Sequence, residues 1–319
     1  MRGLSVVQRR VLQERSWVAL RSLAEGGVAS VWLVGSQDDP SVRYALKTLR
    51  FPFDADDEII AMFCDEIRMM QRLQHPHLAS YVAGCEDPAA PYLLMEYVQG
   101  CDLGVLLQET QQRGVRWPAQ AAVCVGIQVL RALCYLHQAE VSEGKKISVV
   151  HRDLSPPNLL VSTAGWVKVA DLGIAVSDVI LRQTAWDSLR GRFAYLSPEA
   201  ACGRPVEPRS DLFSWGLVMW EMLMGRRLFA GMSPEQILER LPVLQMPPMV
   251  GVDSPWREAV EPILVRVLEP DLAARAESAE VVLGELEALA QQAQEEGEAF
   301  LRTWVAQRER ERGADVAVD

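Results

Sequence analysis

The fold of this chain is decided by the stretch His151-Arg152-Asp153-Leu154-Ser155-Pro156-Pro157-Asn158, which is followed downstream by Asp171-Leu172-Gly173. The first motif sets a carboxylate and a carboxamide five positions apart, and the second adds a carboxylate after the strand-like segment 166–170. Phosphoryl transfer needs these groups, because a carboxylate must accept the hydroxyl proton and oxygen ligands must hold Mg²⁺. The two motifs therefore supply a carboxylate base and two oxygen ligands of the kind that phosphoryl transfer needs.

Further motifs lie on both sides of this stretch. In chain order they are Tyr44-Ala45-Leu46-Lys47, Glu66 in a segment of helical period, Ser197-Pro198-Glu199, Asp211 and Arg275. Each alone has a simpler explanation, such as a solvated lysine or a turn, but chance assembly in this order is negligible. The set resembles the eukaryotic-type (Hanks-type) protein kinases over residues 17–290, and Ser155-Pro156-Pro157-Asn158 resembles a variant of bacterial members of the Ser/Thr group.

The resemblance implies an α+β fold of two lobes. A small N-lobe (17–97) is expected to hold a five-stranded antiparallel sheet and one helix, and a larger helical C-lobe (98–290) to follow it. Short apolar runs divided by turns between 17 and 50, and the helical period of Asp56–Leu73, agree with this order. An N-terminal extension (1–16) is expected before these lobes, and a helical, charged C-terminal tail (291–319) after them.

The same resemblance implies ATP and Mg²⁺ as cofactors and assigns the catalytic residues. Lys47 is expected to contact the α- and β-phosphates, with Glu66 as its ion-pair partner. Asp153 is expected to accept or orient the substrate hydroxyl, and Asn158 and Asp171 to hold Mg²⁺. His151 is expected to pack in the core instead of acting as a base.

The nucleotide-binding residues follow from the resemblance as well. They are Gly26 and Gly27 in the phosphate loop, Val31, Ala45, Met95 as gatekeeper, Glu96 and Val98 in the hinge, Asp102 near the ribose, and Leu160. The Glu199 carboxylate is expected to pair with Arg275, and Asp211 to tie a buried helix, 212–224, to the catalytic loop.

The chain departs from the family in three places. Two of the three phosphate-loop glycines are replaced by Ala24 and Ala29, which predicts a stiffer loop that still works or one that binds ATP less well. Leu172 stands where the family has Phe, an apolar exchange of little cost. Ser155 replaces the Lys usual in Ser/Thr kinases, and Arg192 replaces a Thr of the activation segment. We hypothesise that Arg192 supplies the missing cation; the alternative is a solvent-facing arginine.

Regulation by phosphorylation is also expected. Arg152 provides a cation beside Asp153, and counting back from Pro198-Glu199 makes Ser188 the autophosphorylation site, with Thr184 as second choice. Two other functions remain open: a pseudokinase that acts as a nucleotide-binding scaffold, favoured by the altered loop, and a small-molecule phosphotransferase of related fold. Protein is the expected substrate.

Composition narrows the remaining possibilities. The formal net charge of −11 argues against nucleic acid as a partner. The start lacks the pattern of a secretory signal, the apolar stretch Leu212–Met224 is too short for a bilayer, and six dispersed cysteines indicate reduced thiols, so we expect a cytoplasmic protein without a membrane span. The tail has an apolar stripe at 300, 301, 304 and 305, which predicts either a last helix folded back on the domain or a docking helix for a partner.

Overall fold

The computed structural model describes residues 12, 17–39, 41–50, 57–142, 145–146, 148–173 and 193–316. These residues belong to two compact units. The first unit includes the described residues of 17–75 and 79–97, and the second includes those of 76–78, 98–173 and 193–316.

The first unit is built on a five-stranded sheet. Its strands are β1 (Trp17–Glu25), β2 (Ala29–Ser36), β3 (Arg43–Leu49), β4 (Tyr81–Cys85) and β5 (Tyr92–Glu96), and helix α1 (Asp57–Met70) follows β3. The strands lie in the order β1-β2-β3-β5-β4, and every neighbouring pair is antiparallel. The α+β prediction for this part of the chain, five antiparallel strands and one helix, is confirmed.

Helix α1 forms because its apolar residues recur every three or four positions. At its start Ile59 is buried and Ile60 is only half-buried. Further along, Phe63, Ile67 and Met70 are all buried, in agreement with the helical period predicted for 56–73. The same buried face carries Glu66, which brings a carboxylate into the interior of the unit.

The second unit is mainly helical. Its helices are α2 (Leu103–Gln112), α3 (Ala119–His137), α4 (Pro198–Ala201), α5 (Pro208–Met224), α6 (Pro234–Arg240), α7 (Ser254–Val267), α8 (Ala279–Glu287) and α9 (Ala290–Val316). Helix α5 is buried almost all round, as its uniformly apolar sequence predicted. It packs on α3, where the Trp215 Nε1 donates a hydrogen bond to the Gly126 carbonyl at 3.1 Å.

Short strands of the second unit were not foreseen, apart from the strand-like segment near 166. They are β6 (Gly100–Asp102), β7 (Glu140–Ser142), β8 (Lys145–Lys146), β9 (Leu159–Ser162) and β10 (Val167–Val169). A three-stranded sheet runs in the order β10-β9-β6, and β7 pairs with β8. The three-stranded sheet matters for the site because the segment just before β9 carries the first motif, 151–158, and the segment just after β10 carries the second, 171–173.

Helix α3 is the one helix of the described chain that is long and apolar enough to cross a membrane, judged by length and composition alone. Most of its apolar window, 78%, is buried inside the second unit, as is typical of the core helix of a soluble domain. The apolar stretch Leu212–Met224 noted in the sequence is shorter than α3 and lies in α5.

Candidate active site

Lys47 and Glu66 form an ion pair inside the first unit. The Lys47 Nζ lies 2.6 Å from the Glu66 Oε1, and the glutamate side chain is only 1% exposed. Lys47 comes from β3 and Glu66 from the buried face of α1, so the pair connects sheet and helix. A lysine held in this way has a fixed ammonium position, which a phosphate ligand requires.

Four of the predicted nucleotide-binding residues share one face of the sheet. Val31 of β2 is directly opposite Lys47 of β3, and Ala45 of β3 is opposite Met95 of β5. Because directly opposed residues of antiparallel strands project to the same face, and residues two apart do so too, these four side chains belong together. Met95 and Ala45 are buried, and the other two are half-buried.

The predicted phosphate loop is the connection between β1 and β2. The Gly26 N–H donates to the Ala29 carbonyl at 2.9 Å, and the Arg50 guanidinium donates to the Gly26 carbonyl at 3.0 Å. Ala24 and Ala29 lie within the strands on either side, in extended backbone that alanine adopts without strain. Their replacement of glycine therefore carries no backbone cost in this conformation.

The catalytic loop of the second unit is fixed by Asp211 of α5. Its carboxylate accepts the backbone N–H of His151 at 2.8 Å and that of Arg152 at 2.9 Å. The His137 Nε2, at the end of α3, lies 2.9 Å from the same carboxylate. The backbone of Arg152 has a φ of 68°, a conformation that costs energy for an arginine and that these hydrogen bonds stabilise. Asp211 was identified from the sequence, but His137 was not. A histidine at the end of a helix gives no sequence signal for such a contact.

His151 is fully buried and joins the two motifs quoted first. Its Nε2 lies 3.1 Å from the Ala170 carbonyl, and its Nδ1 accepts the Asp153 N–H at 3.3 Å. One ring nitrogen therefore accepts and the other donates, which is the arrangement of a neutral imidazole that positions backbone. These contacts agree with the prediction that His151 packs in the core.

The second motif ends in glycine because position 173 has no room for a side chain. Its N–H donates to the His151 carbonyl at 2.8 Å. A Cβ at this position would lie 2.7 Å from that carbonyl oxygen and 2.8 Å from the Asp153 Cβ. Only glycine lets the segment after Asp171 approach the catalytic loop so closely.

Asp153 and Asn158 are brought into direct contact. The Asn158 Nδ2 donates to the Asp153 carbonyl at 2.7 Å and to its Oδ2 at 3.1 Å. Since the amide nitrogen is used in this way, the Asn158 Oδ1 is the atom left to face a cation. Asp171, with a φ of 54°, follows Ala170, whose N–H donates to the Asn158 carbonyl at 2.9 Å.

Asp102 and Leu160 are neighbours across β6 and β9, where they are directly opposed. The Asp102 Oδ1 also caps helix α2, because it accepts the Val105 N–H at 3.0 Å. Glu96, the predicted hinge residue of the first unit, accepts the Ser80 N–H at 2.7 Å through its Oε1. Val98, of the second unit, is half-buried.

A buried ion pair lies away from these residues in the second unit. The Arg275 Nη1 and Nη2 donate to the two Glu199 carboxylate oxygens at 2.7 and 3.0 Å. Burial by itself would raise the pKa of Glu199, but the hydrogen bonds from Arg275 and Ser210 together with the charge of Arg275 hold that pKa below its ordinary value. The geometry is that of the structural pair predicted from the sequence.

Three predicted residues of the activation segment, Arg192, Ser188 and Thr184, lie outside the described residues. The hypothesis that Arg192 supplies the cation missing at position 155 involves two residues. Only Ser155 is among the described residues, and it is buried. Its hydroxyl lies 3.5 Å from the Asp153 carbonyl.

Comparison with known proteins gives one family. A model described as the protein kinase domain matches residues 17–312. Serine/threonine-protein kinase PrkC of Bacillus subtilis is 32% identical over 264 residues, which cover 82% of this chain and 38% of PrkC. Serine/threonine-protein kinase PknA of Mycobacterium tuberculosis is 32% identical over 253 residues, which cover 77% of this chain and 56% of PknA.

One similar protein is named as a kinase of tyrosine instead of serine and threonine. Tyrosine-protein kinase MasK of Myxococcus xanthus is 29% identical over 259 residues, which cover 79% of this chain and 39% of MasK. Among solved structures, the kinase domain of Mycobacterium tuberculosis PknI has a TM-score of 0.62 at 24% identity, with 86% of this chain and 96% of that one covered. That likeness shows the fold alone. The chain spans less than two thirds of the length of each of the three curated relatives.

Proposed function

The chain belongs to the protein kinase family, in its bacterial serine/threonine group, and we propose that it transfers the γ-phosphoryl group of ATP to Ser or Thr hydroxyls of protein substrates. The contact between Asn158 and Asp153 is the observation that supports this best. It orients a carboxylate and an amide oxygen side by side on a loop that is anchored to the core by Asp211. Such pre-oriented groups supply the positioning on which phosphoryl transfer depends.

In this mechanism Asp153 accepts the hydroxyl proton of the substrate, or holds the hydroxyl with one lone pair aimed at phosphorus. The bond from the hydroxyl oxygen to the γ-phosphorus forms as the bond to the β,γ-bridging oxygen breaks, and ADP leaves. The ammonium of Lys47 stabilises negative charge on the α- and β-phosphates, and Glu66 keeps that ammonium in place at 2.6 Å.

The oxygen donors of Asn158 and Asp171 fit Mg²⁺. This ion binds few protein ligands, prefers hard oxygens and keeps waters and substrate phosphates in its shell. Among the described residues there is no cluster of three or more His, Cys, Asp or Glu side chains that would make an all-protein metal cage. When bound, Mg²⁺ neutralises phosphate charge, and the two side chains would hold it.

The first test measures transfer of label from γ-labelled ATP to the protein itself and to a generic basic protein. With Mg²⁺ we expect incorporation of label into both proteins. Removal of the metal with EDTA should abolish it, because Asn158 and Asp171 carry no positive charge that could neutralise the phosphates. Acid hydrolysis should release labelled phosphoserine or phosphothreonine. Labelled phosphotyrosine would contradict the acceptor, and ATP binding without any transfer would favour a pseudokinase scaffold.

Peptide mapping of the same labelled protein, first prepared without phosphate, should place label on Ser188, with Thr184 next. A phosphoserine there adds about −1.5 to −2 charge units, and we expect the exposed Arg152 to pair with it. Replacement of Ser188 by Ala should remove most of the label from that segment, and replacement of Thr184 by Ala should remove only the smaller part. Label confined to other segments would contradict this site.

The proposed role of Arg192 has its own test. If this arginine supplies the cation that Ser155 lacks, Arg192→Ala should lower turnover by roughly tenfold or more, since charge-assisted contacts to phosphate are among the stronger hydrogen bonds. Ser155→Lys should restore part of the loss in the same background. If the turnover of Arg192→Ala stays within about twofold of that of the original protein, the alternative of a solvent-facing arginine without a catalytic role is favoured.

A further inference from the structure

Helix α9 is packed against α3 along its first half. Leu301 and Val305 of the predicted apolar stripe are fully buried, and the Phe300 ring lies 5.2 Å from that of Trp117. Gly297 marks the closest approach, since a Cβ there would lie 2.5 Å from the Cys124 Cβ and 2.8 Å from the Gln120 carbonyl. The described part of the tail, residues 291–316, is thus helical and belongs to the second unit.

The second half of α9 reaches α2 through charged side chains. Arg308 forms an ion pair with Glu109, and both side chains are largely buried. Arg113 at the end of α2 pairs with Glu311 at 2.8 Å and lies 5.4 Å from the Trp304 ring centroid. Two ion pairs and one cation–π contact therefore join these helices.

Helix α2 begins at Asp102, the residue predicted to meet the ribose. Asp102 and Glu109 are seven positions apart, which is about two helical turns and places them on the same side of α2. Burial raises the pKa of the Asp102 carboxyl, while the hydrogen bond from Val105 and the charge of Arg308 oppose that rise. Arg308 therefore contacts, through Glu109, the same side of α2 on which Asp102 lies at the start of the helix.

We propose that Arg308 is a positioning residue for ATP: through Glu109 it fixes the α2 segment that starts at Asp102, so that the carboxylate meets the ribose hydroxyls. This assignment rests on the proposed function, in which Asp102 binds the ribose. In this role α9 contributes to nucleotide binding. Arg308 then affects the affinity for ATP and not the rate of the phosphoryl-transfer step. The ion pair supplies position, and Asp102 supplies the contact.

The test compares Arg308→Gln with the full-length parent protein. Dissociation constants are measured for ATP and for 2′,3′-dideoxy-ATP, together with kcat and KM. We expect Arg308→Gln to weaken ATP binding and to raise the KM for ATP by about threefold to tenfold, with kcat within about twofold. The two proteins should bind 2′,3′-dideoxy-ATP equally, because that nucleotide lacks the hydroxyls that Asp102 would contact.

Arg302→Gln is the matched control, because Arg302 lies on the same helix and is paired with Glu298 at 3.2 Å, away from α2. It should leave both constants unchanged. Glu109→Gln should reproduce the Arg308→Gln result, and Arg308→Lys should recover part of the affinity; these variants also cover the case in which Arg308→Gln unfolds.

Three outcomes would overturn the role of Arg308. One is an equal loss of affinity for both nucleotides, and a second is an equal loss in Arg302→Gln. The third is unchanged ATP binding in Arg308→Gln and Glu109→Gln while the parent binds ATP and transfers phosphate, which would leave the proposed function intact. A parent that binds no ATP would instead overturn the proposed function, and this role with it.

Discussion

Replacement of Asp153 by Asn is expected to lower the rate of phosphoryl transfer by about 10²- to 10⁴-fold, the usual contribution of a general base. The amide is nearly the same size, so the hydrogen bond to Asn158 can be retained, but it cannot accept the hydroxyl proton. Because Asp153 is not expected to contact ATP, the dissociation constant for ATP should stay within about twofold. Initial rates with γ-labelled ATP and a calorimetric ATP titration measure the two quantities.

Asp38→Asn provides the control, since this aspartate is exposed in the connection between β2 and β3 of the first unit. It should transfer phosphate at the parent rate. If Asp153→Asn kept its rate within about threefold, the carboxylate would not act in the chemical step. If it lost rate and ATP binding together, the loss would report a disturbed loop instead of a missing base.

Removal of Arg275 is expected to have the largest effect on stability. Arg275→Met should lower the free energy of unfolding by about 3–5 kcal/mol, since it leaves the Glu199 carboxylate buried and uncompensated. The loss is enlarged because Arg275 also donates to the carbonyls of Arg209, Glu269 and Pro270. Chemical denaturation followed by circular dichroism measures the change.

Arg266→Met is the matched control for this effect. Arg266 pairs with Glu285 on the surface, where exposed pairs contribute about 0–1 kcal/mol. We therefore expect a change of at most about 1 kcal/mol in this variant. Equal losses in the two arginine variants would show that burial of the Glu199 pair adds nothing.

Glu199→Gln adds a pH signature to this pair. Because the folded-state pKa of Glu199 is lowered, its ionised form contributes stability that is present above the unfolded-state pKa and is lost as pH falls through the folded-state value. The stability difference between the parent and Glu199→Gln should therefore be constant near neutral pH and should shrink below about pH 4.5. A difference that stays constant down to pH 3 would contradict the ionic character of the pair.

Much of the fold and site was predictable because the motifs, in their order, resemble those of a known family. That resemblance implied that Glu66, in a segment of helical period, pairs with Lys47, and the two side chains do form an ion pair. The pairing of Glu199 with Arg275 followed in the same way. In both cases the structure shows the contact that the pattern required.

Other features left no readable trace in the sequence. Strands β6 and β9 have three and four residues, too few for a period of two to stand out. The contact of Arg308 with Glu109 joins residues almost 200 positions apart, and an alternation of Arg and Glu in the tail is equally typical of a solvated helix. His137 was missed because its partner, Asp211, comes from a different helix.

The hydrogen bonds from the backbone of His151 and Arg152 to the Asp211 carboxylate can form only after α5 has been synthesised. The loop before Asp153 takes its shape from a carboxylate 60 residues further along the chain, with His151 N–H at 2.8 Å. A nascent chain that ends before α5 therefore has every loop residue but lacks the carboxylate that holds the backbone amides of His151 and Arg152. In hydrogen–deuterium exchange, these two amides should behave like amides of the α5 core, although they belong to no helix or strand.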